Sequence, residues 1–454
     1  MENTNNSKFS MRKFIRTKVN GGSILMIVAL VTMIIANSPL KDYYNDFFAT
    51  KLIIRIGDVN LFKIHEHNLT ILSFINDALM AVFFFSIGLE IKREMLVGEL
   101  SSFKKAMLPV VAAIGGMIIP IVIFCCLTDP GFAAKGAAIP MATDIAFSLG
   151  VLSLLGKKVP LSLKIFLTAF AVVDDIGGIA VIGIFYSQDL ALSYIMYSLI
   201  VLFLMWIIGR MGVHSKLFYL TFGIVVWYLF LNSGIHPTIA GVLVAFVVPA
   251  HPKLNIKRYI KKIKNSILEL PEEENITNTR MLTADEISTL KKMESYSDHV
   301  ISPLQSLEDN LFPLINYIIM PLFAFANANV DLSGFSFENA ANGVTFDIFN
   351  SLVFGKIIGI FVFTWIFTKS KILTLPEGIN YKNVFGVAIL GGIGFTVSLF
   401  IATLSYAKIP EIGLTLLNEA KIGILAGTIF AGIVGYIYLK IVLKEDQEVY
   451  DDLK

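Results

Sequence analysis

Three carboxylates occupy positions where an apolar run of this chain would cross the middle of a bilayer. Asp174 and Asp175 are consecutive within residues 161–186, and Asp144 follows Thr143 in an earlier apolar run. A carboxylate at the centre of a spanning helix costs about 2.5–3.5 kcal/mol, so three cost about 8–10 kcal/mol together. The alternative is a set of incidental polar residues that face the interior of a helix bundle. We interpret them as a functional site, because a purely structural protein has little reason to carry that cost.

The spacing of Asp174 and Asp175 predicts two different environments for their side chains. Neighbours on a helix diverge by about 100°, so one carboxylate faces a cavity while the other faces a neighbouring helix. Two close carboxylates in a medium of low dielectric constant cannot easily both ionise without a compensating cation. Either Na+ or Li+ supplies that charge, and so does a proton. Binding of metal and of protons is then mutually exclusive, which is the minimum chemistry of an exchanger.

Lys356 is a fourth ionisable residue in an apolar run, within residues 354–359. A lysine inside a membrane needs a partner or a wet cavity, and Asp174 is the natural candidate. The alternative is a lysine whose ammonium group reaches the bilayer surface.

Further ionisable residues lie inside the apolar runs, as the intramembrane acid Asp77 does, or at their ends. Asp77 either lines an ion route or caps a local helix break. Glu90 and Arg93 belong to a charged cluster that either anchors the second span at the interface or biases ion entry and senses pH. A lone histidine such as His236 is more often a structural residue than a ligand, although it titrates near neutrality and can report pH.

Composition indicates a membrane protein. The 454 residues are 55% hydrophobic and 16% charged, against about 25% charged in soluble domains. The net charge of +2 does not indicate a nucleic-acid partner. Cys125 and Cys126 are adjacent in an apolar run and imply neither a disulfide framework nor a metal cage. The sequence has no clustered His/Cys motif, no phosphate-binding loop and no Gly-x-Ser-x-Gly nucleophile elbow, so we predict neither an enzyme nor a cofactor.

Apolar runs recur often enough to predict twelve membrane spans. They lie near residues 21–38, 69–91, 105–127, 133–155, 160–186, 190–210, 216–232, 234–250, 311–327, 347–368, 383–406 and 414–443. Lys and Arg concentrate in alternate loops, which predicts a multi-pass membrane protein with both termini in the cytoplasm. Residues 1–20 and 444–454 are then cytoplasmic tails around an antiporter domain, residues 21–443. The first run lacks a small-residue cleavage site and reads as a retained helix.

Two connections are longer than the others. Residues 39–68 form an extracytoplasmic loop, in which residues 51–66 contain two β-prone segments around Gly57 and Asp58. They predict either a β-hairpin or an ordinary amphipathic loop. An isolated hairpin is marginal in water, so it would pack against something such as a second subunit. Residues 251–310 form a long cytoplasmic loop, which we interpret as a solvated loop or a regulatory appendage.

Two of the predicted spans are interrupted. Pro140 precedes Thr143 in residues 133–155, and a glycine-rich break lies at 391–396 within residues 383–406. Non-helical backbone survives at membrane depth only inside protein or beside a cavity. Interrupted spans at corresponding places in two halves predict inverted repeats with a binding site between them. The predicted fold is therefore all-α, with discontinuous fourth and eleventh helices that cross.

Several segments resemble the NhaA family of bacterial Na+/H+ antiporters. That family is an established example of inverted repeats, so the repeat pattern is not independent support. The resemblance extends from the first span to the last. Its most specific segments are residues 75–84, 138–150, 160–170 with Asp174 and Asp175, 321–328, 354–359 and 390–398.

The resemblance implies a role for each site residue. Asp175 is similar to the principal cation ligand, and Asp174 to a proton-exchanging neighbour paired with Lys356. Thr143 and Asp144 would balance helix-end dipoles at the crossing. The hairpin resembles the dimerisation element of the family.

Two acidic positions relate to regulation. Glu90 and Glu308 fall where the family has acidic residues tied to the pH response. Asp309 and Phe312 stand where well-known members have histidines, which is a departure from the pattern.

We therefore predict an electrogenic antiporter that exports Na+ or Li+ in exchange for external protons and serves sodium and pH homeostasis. Its expected partners are these ions, membrane lipid and a second copy of the chain. The alternative is a sodium-coupled symporter of an organic anion. An intramembrane aspartyl protease also needs two buried carboxylates, but it would carry them on separate helices with a Gly-x-Gly-Asp pattern that this chain lacks.

Overall fold

A computed structural model describes residues 21–452 except 54, 57–58, 61–62, 65–66, 188–189, 253–255, 269–282 and 334–342. The predicted cytoplasmic tail 1–20 and the predicted turn at Gly57 and Asp58 lie outside the described residues. The described chain is predominantly helical. Its helices are α1 Gly21–Ala36, α2 Lys41–Ala49, α3 Ile71–Val97, α4 Phe103–Leu127, α5 Ile145–Leu154, α6 Leu161–Phe185, α7 Leu192–Arg210, α8 Lys216–Leu231, α9 Thr238–Val247, α10 Ile256–Leu268, α11 Ala284–Val300, α12 Pro303–Asn327, α13 Val344–Lys369, α14 Tyr381–Gly391, α15 Phe395–Tyr406 and α16 Gly413–Asp452.

The long apolar helices form a polytopic membrane protein. Within the described ranges, α3, α4, α6, α7, α12, α13 and α16 are each long and apolar enough to cross a bilayer. Three bent pairs pass the same test when each is taken together: α1 with α2, residues 133–141 with α5, and α14 with α15. The apolar helices α8 and α9 are shorter. Every predicted span overlaps one of these helices or pairs.

Three of the long helices each contain a short stretch that is wound more loosely, as π-helix. These stretches are Ile75–Leu79 in α3, Ile315–Ile319 in α12 and Ser351–Gly355 in α13. Such segments are rare and are frequent at functional sites. The first contains Asp77 and the third ends directly before Lys356, so both change the direction in which an ionisable side chain points.

Short antiparallel strands lie in the predicted extracytoplasmic loop, residues 39–68. β1 Arg55–Ile56 pairs with β2 Val59–Asn60, and β3 Lys63–Ile64 pairs with β4 His67–Asn68. The paired region thus continues past residue 66, and each strand has only two residues. Lys51 and Thr70 form a further bridge at the base of the loop.

Two predicted boundaries differ from the structure. The ninth span begins at Pro303 rather than near 311, because Ser302 accepts a hydrogen bond from the amide of Gln305 and proline suits the first helical position. Hydropathy misses this polar first part of the helix. The last helix continues to Asp452 through most of the predicted tail. Residues 436–452 contain neither glycine nor proline to end it.

α4 and α13 cross at two glycines. A Cβ atom added to Gly115 would lie 2.2 Å from the carbonyl oxygen of Gly359, and one added to Gly359 would lie 2.1 Å from that of Gly115. Small residues allow helix backbones this close in membrane proteins. Because Gly359 follows Lys356 by three residues, this crossing sets the depth and direction of the lysine.

We expect Gly359→Ala to destabilise the protein by about 1–3 kcal/mol, because the added methyl group meets backbone that cannot move aside. Thermal unfolding in detergent measures the change. The control is Gly432→Ala, where the nearest heavy atom would be 3.9 Å away. Equal unfolding of both variants would contradict the role of the crossing.

Candidate functional site

The two interrupted spans bind each other at their breaks. The residues between the 3-10 turn Ile139–Met141 and α5 meet the residues between α14 and α15. The amide of Asp144 donates to the carbonyl of Ile393 at 2.7 Å, and the hydroxyl of Thr143 donates to the carbonyl of Gly391 at 3.0 Å. The backbone groups that lose their helical partners are thus satisfied inside the protein.

Asp144 is the N-cap of α5. Its Oδ1 accepts from the amide of Phe147 at 3.0 Å. Its Oδ2 accepts from the amide of Thr396 at 3.1 Å and from the hydroxyl of Thr396 at 2.5 Å. Thr396 lies in the first turn of α15, so this carboxylate faces the positive ends of two helix dipoles. Its charge is compensated locally, although it is buried.

Thr396→Val tests this compensation. We expect the variant to lose about 1.5–3 kcal/mol of stability, the usual contribution of a hydrogen bond to a charged group, and to exchange ions more slowly. Unfolding and transport are measured in the same preparation. The matched control is Thr403→Val in the same helix, because Thr403 donates only to the carbonyl of Leu399. Equal loss in both variants would contradict the role of Thr396.

Asp174 forms a buried ion pair with Lys356. The Nζ of Lys356 lies 2.7 Å from Oδ2 of Asp174, and both side chains are at most 1% exposed. The ammonium group also lies 5.7 Å from the ring centre of Phe170. This is the contact suggested for Lys356 from its sequence. The other oxygen of Asp174, Oδ1, is buried as well.

Asp175 points elsewhere and lines a cavity of about 400 Å³. Thr143, Asp144 and Glu90 line the same cavity. The three acids of the cavity, Glu90, Asp144 and Asp175, come from α3, the break before α5, and α6. Among the residues that the structure describes, no group of three or more His, Cys, Asp or Glu side chains is arranged to hold a metal ion. A cation at Asp175 would complete its shell with hydroxyl, carbonyl and water oxygens.

The remaining predicted residues form two separate pairs. Arg93 Nη1 lies 2.6 Å from Oε1 of Glu308, and its Nη2 lies 2.9 Å from Oε1 of Glu94. His236 Nε2 lies 3.6 Å from Oδ1 of Asp77. Neither pair lines the cavity, whereas Glu90 does.

Sequence reasoning missed several buried polar contacts. Asn76 and Asn327 exchange hydrogen bonds of 3.3 and 2.7 Å between α3 and α12. Lys421 is buried in α16 and donates to Oδ1 of Asn329 at 2.5 Å. A lysine within an apolar run was a usable signal, as it was for Lys356. The asparagines carried no comparable signal, because an uncharged amide costs less to bury.

Comparison with known proteins decides the family. The sequence profile of the family described as Na+/H+ antiporter 1 matches residues 12–439. The chain belongs to this family. It is also similar to proteins named Na(+)/H(+) antiporter NhaA. These relatives come from Bacteroides fragilis strain YCH46 (53% identity over 96% of this chain and 98% of the relative), Bacteroides thetaiotaomicron (52%, 96% and 98%) and Sulfurimonas denitrificans (40%, 95% and 95%).

Membership of the Na+/H+ antiporter 1 family confirms the predicted class of activity. The chain is a multi-pass membrane transporter that exchanges Na+ and H+, and it is not an enzyme. The two ions are its substrates rather than cofactors. The comparisons do not support the alternative of a sodium-coupled symporter.

Proposed function

We propose that Na+ or Li+ and protons compete for one buried site formed by Asp175, Asp174 and Lys356, and that this competition drives electrogenic export of the metal. The observation that carries the proposal is that the two adjacent aspartates have different surroundings. Asp175 faces the cavity, while Asp174 is paired with Lys356 at 2.7 Å.

Charge balance explains the competition. The helix ends compensate Asp144, so the two ionised aspartates and the lysine carry a net charge of −1. One alkali cation neutralises this charge, and so does one proton. Both together would leave a buried net positive charge, which a low-dielectric site disfavours. The site therefore holds a cation or a proton, and loading one from a given side releases the other.

Exchange of one proton for one cation at Asp175 alone would move no net charge, so we infer that Asp174 or Lys356 carries a second proton and that more protons enter than cations leave in each cycle. One elementary charge that crosses the membrane potential contributes about 2.3 kcal/mol per 100 mV. The inward proton gradient and the potential then both drive Na+ outward. This stoichiometry makes transport electrogenic and suits a protein that controls cytoplasmic sodium and pH.

Twelve membrane spans result if the seven long helices, the three bent pairs and the shorter helices α8 and α9 each cross the membrane once. The broken fourth and eleventh spans then cross within inverted repeats, which is supported by the hydrogen bonds between their breaks. Residues 21–443 form the antiporter domain, residues 39–68 lie outside and residues 251–310 lie inside. Both termini are cytoplasmic in the inner membrane, as the Lys and Arg distribution indicates.

Two further properties belong to this proposal. The strands of the 51–66 region join two copies of the chain, since paired strands this short need a partner surface. Glu90, Arg93 and Glu308 serve the pH response and Asp77 with His236 serves an ion route or a second pH-dependent contact. The support is the contact of Arg93 with Glu308, the contact of His236 with Asp77, and the position of Glu90 on the cavity.

Proton release on metal binding tests the shared site. Purified protein in a weakly buffered solution is titrated with NaCl or LiCl while a pH indicator reports released protons. We expect acidification that saturates with the metal and is absent with choline chloride. Metal binding without proton release would overturn the proposal. Sodium-driven collapse of a proton gradient in liposomes then measures the complete exchange.

A further inference from the structure

We propose that α10, Ile256–Leu268, lies in the membrane surface and binds anionic phospholipid through a stripe of isoleucines and an adjacent row of lysines. This inference goes beyond ion exchange and does not depend on the proposed ion site. It concerns the long connection between α9 and α12, which contains α10 and α11.

The apolar positions of α10 form a narrow stripe. Ile256, Ile260, Ile263 and Ile267 are spaced by four, three and four residues, so they fall within about 60° around the helix. Three of them are exposed: Ile256 by 63%, Ile260 by 60% and Ile267 by 55%. A row of exposed isoleucines on a helix this polar is characteristic of helices that lie in a membrane interface.

One side of α10 makes contacts within the protein. Ser266 is buried, Tyr259 and Ile263 are partly buried, and these residues lie on one side of the stripe. On that side α10 packs against α11, Ala284–Val300, where Nζ of Lys262 lies 4.6 Å from the ring centre of Tyr296. The helical hairpin of α10 and α11 therefore has its own packed seam, which Ile263 borders, and the three exposed isoleucines Ile256, Ile260 and Ile267 lie outside it.

A row of lysines borders the other side of the stripe. Lys257, Lys261 and Lys264 lie about 80–140° around the helix from Ile256. α10 contains five basic residues and no acidic residue. Lysines beside a stripe inserted in the interface extend their ammonium groups toward phosphate, and each contributes attraction to an anionic surface. The charge selects anionic headgroups rather than neutral ones.

The chain holds this hairpin at the level of the bilayer surface. Seven residues, 249–255, separate Val248 from α10, which limits the reach to about 25 Å. At the other end, only residues 301 and 302 separate α11 from the long apolar helix α12. α11 also borders a cavity of about 880 Å³ together with the turn 212–216 between α7 and α8. Both ends are thus anchored to membrane helices, which favours a lipid surface over a soluble partner.

A site-specific probe on full-length protein tests the proposal. Cys125 and Cys126 are replaced with alanine, and an environment-sensitive fluorophore is attached at Ile260→Cys. The matched control is Asn265→Cys, which is exposed and lies on the side of α10 opposite the stripe. Each protein is reconstituted in vesicles of phosphatidylcholine alone or mixed with phosphatidylglycerol, with nitroxide quenchers on the lipid chains.

We expect blue-shifted emission and lipid quenching of the probe at position 260 in the anionic vesicles, and neither effect at position 265. Lys261→Gln with Lys264→Gln should reduce the ratio of inserted to free helix by about fivefold for each lysine replaced. Arg258→Gln, on the far side of the helix, should change it less.

Three outcomes would overturn the proposal. The first is a probe at 260 that is as exposed to water as the probe at 265. The second is equal insertion in neutral and anionic vesicles, which removes the role of the lysines. The third is shielding that persists in detergent, which assigns the stripe to a second copy of the chain or to another protein.

Discussion

We expect Asp175→Asn to abolish Na+/H+ exchange while the protein remains folded. The substitution keeps the size of the side chain that faces the cavity and removes the charge that an alkali cation must meet there. Removing one member of a buried pair of opposite charges costs about 3–5 kcal/mol. Applied to Asp175 and the bound cation, this loss lowers the affinity for the cation by about two to three and a half orders of magnitude. Sodium-dependent collapse of a proton gradient in liposomes measures exchange, and size-exclusion chromatography in detergent reports folding.

The matched control is Asp347→Asn. Asp347 is also an acid in a predicted span, but it accepts a hydrogen bond from Thr128 at 2.8 Å and does not line the cavity with Asp175. Asparagine can retain that bond. The control should exchange ions at a rate close to that of the unchanged protein. Exchange by Asp175→Asn at the rate of this control would remove Asp175 as the cation ligand.

The second large effect concerns Lys356. We expect Lys356→Met to destabilise the protein by about 3–5 kcal/mol, because it leaves Asp174 as a buried carboxylate without its partner. Thermal or denaturant unfolding in detergent measures this change at neutral pH. Replacing both residues, as Asp174→Asn with Lys356→Met, should recover most of the lost stability, because no uncompensated charge then remains.

Transport separates a functional pair from a merely structural one. If Asp174 and Lys356 serve ion exchange, the double variant regains stability without regaining exchange. If the pair only holds α6 and α13 together, exchange returns along with stability. A double variant as unstable as Lys356→Met would show instead that the ammonium group has another essential partner.

Local composition was sufficient to predict much of the fold. Every predicted span overlaps a helix or a bent pair, because the preference of a segment for the bilayer is a sum over its own residues. The predictions are incomplete where a helix is polar, because the summed hydropathy of its residues does not then reveal it. Pro303 begins a helix whose first turns are polar, and α10 and α11 lie in a connection whose residues are too polar to register as spans.

The ionisable residues of the candidate site were also predictable from local composition. Asp144, Asp174, Asp175 and Lys356 were found because an ionisable group in an apolar run is costly and therefore conspicuous. The partnership of Thr396 with Asp144 was not predicted, since 252 residues separate them and a threonine is unremarkable in a membrane helix. The three π-helical segments had no recognisable sequence signal either.

The amino-acid sequence by itself determined the class of the protein, the segments that enter the membrane and the charged groups that must be compensated there. These depend on the chemistry of each residue and of its near neighbours. The sequence suggested Asp174 as the partner of Lys356, but only the tertiary structure showed that the two side chains meet and that Asp175 is the aspartate that faces the cavity. The physical reason is that hydrogen bonds and ion pairs act over about 3 Å, so their partners are chosen by the packing of distant helices. Lys356 and Asp174 come within that distance because α4 packs against both α13, through its glycine crossing, and α6.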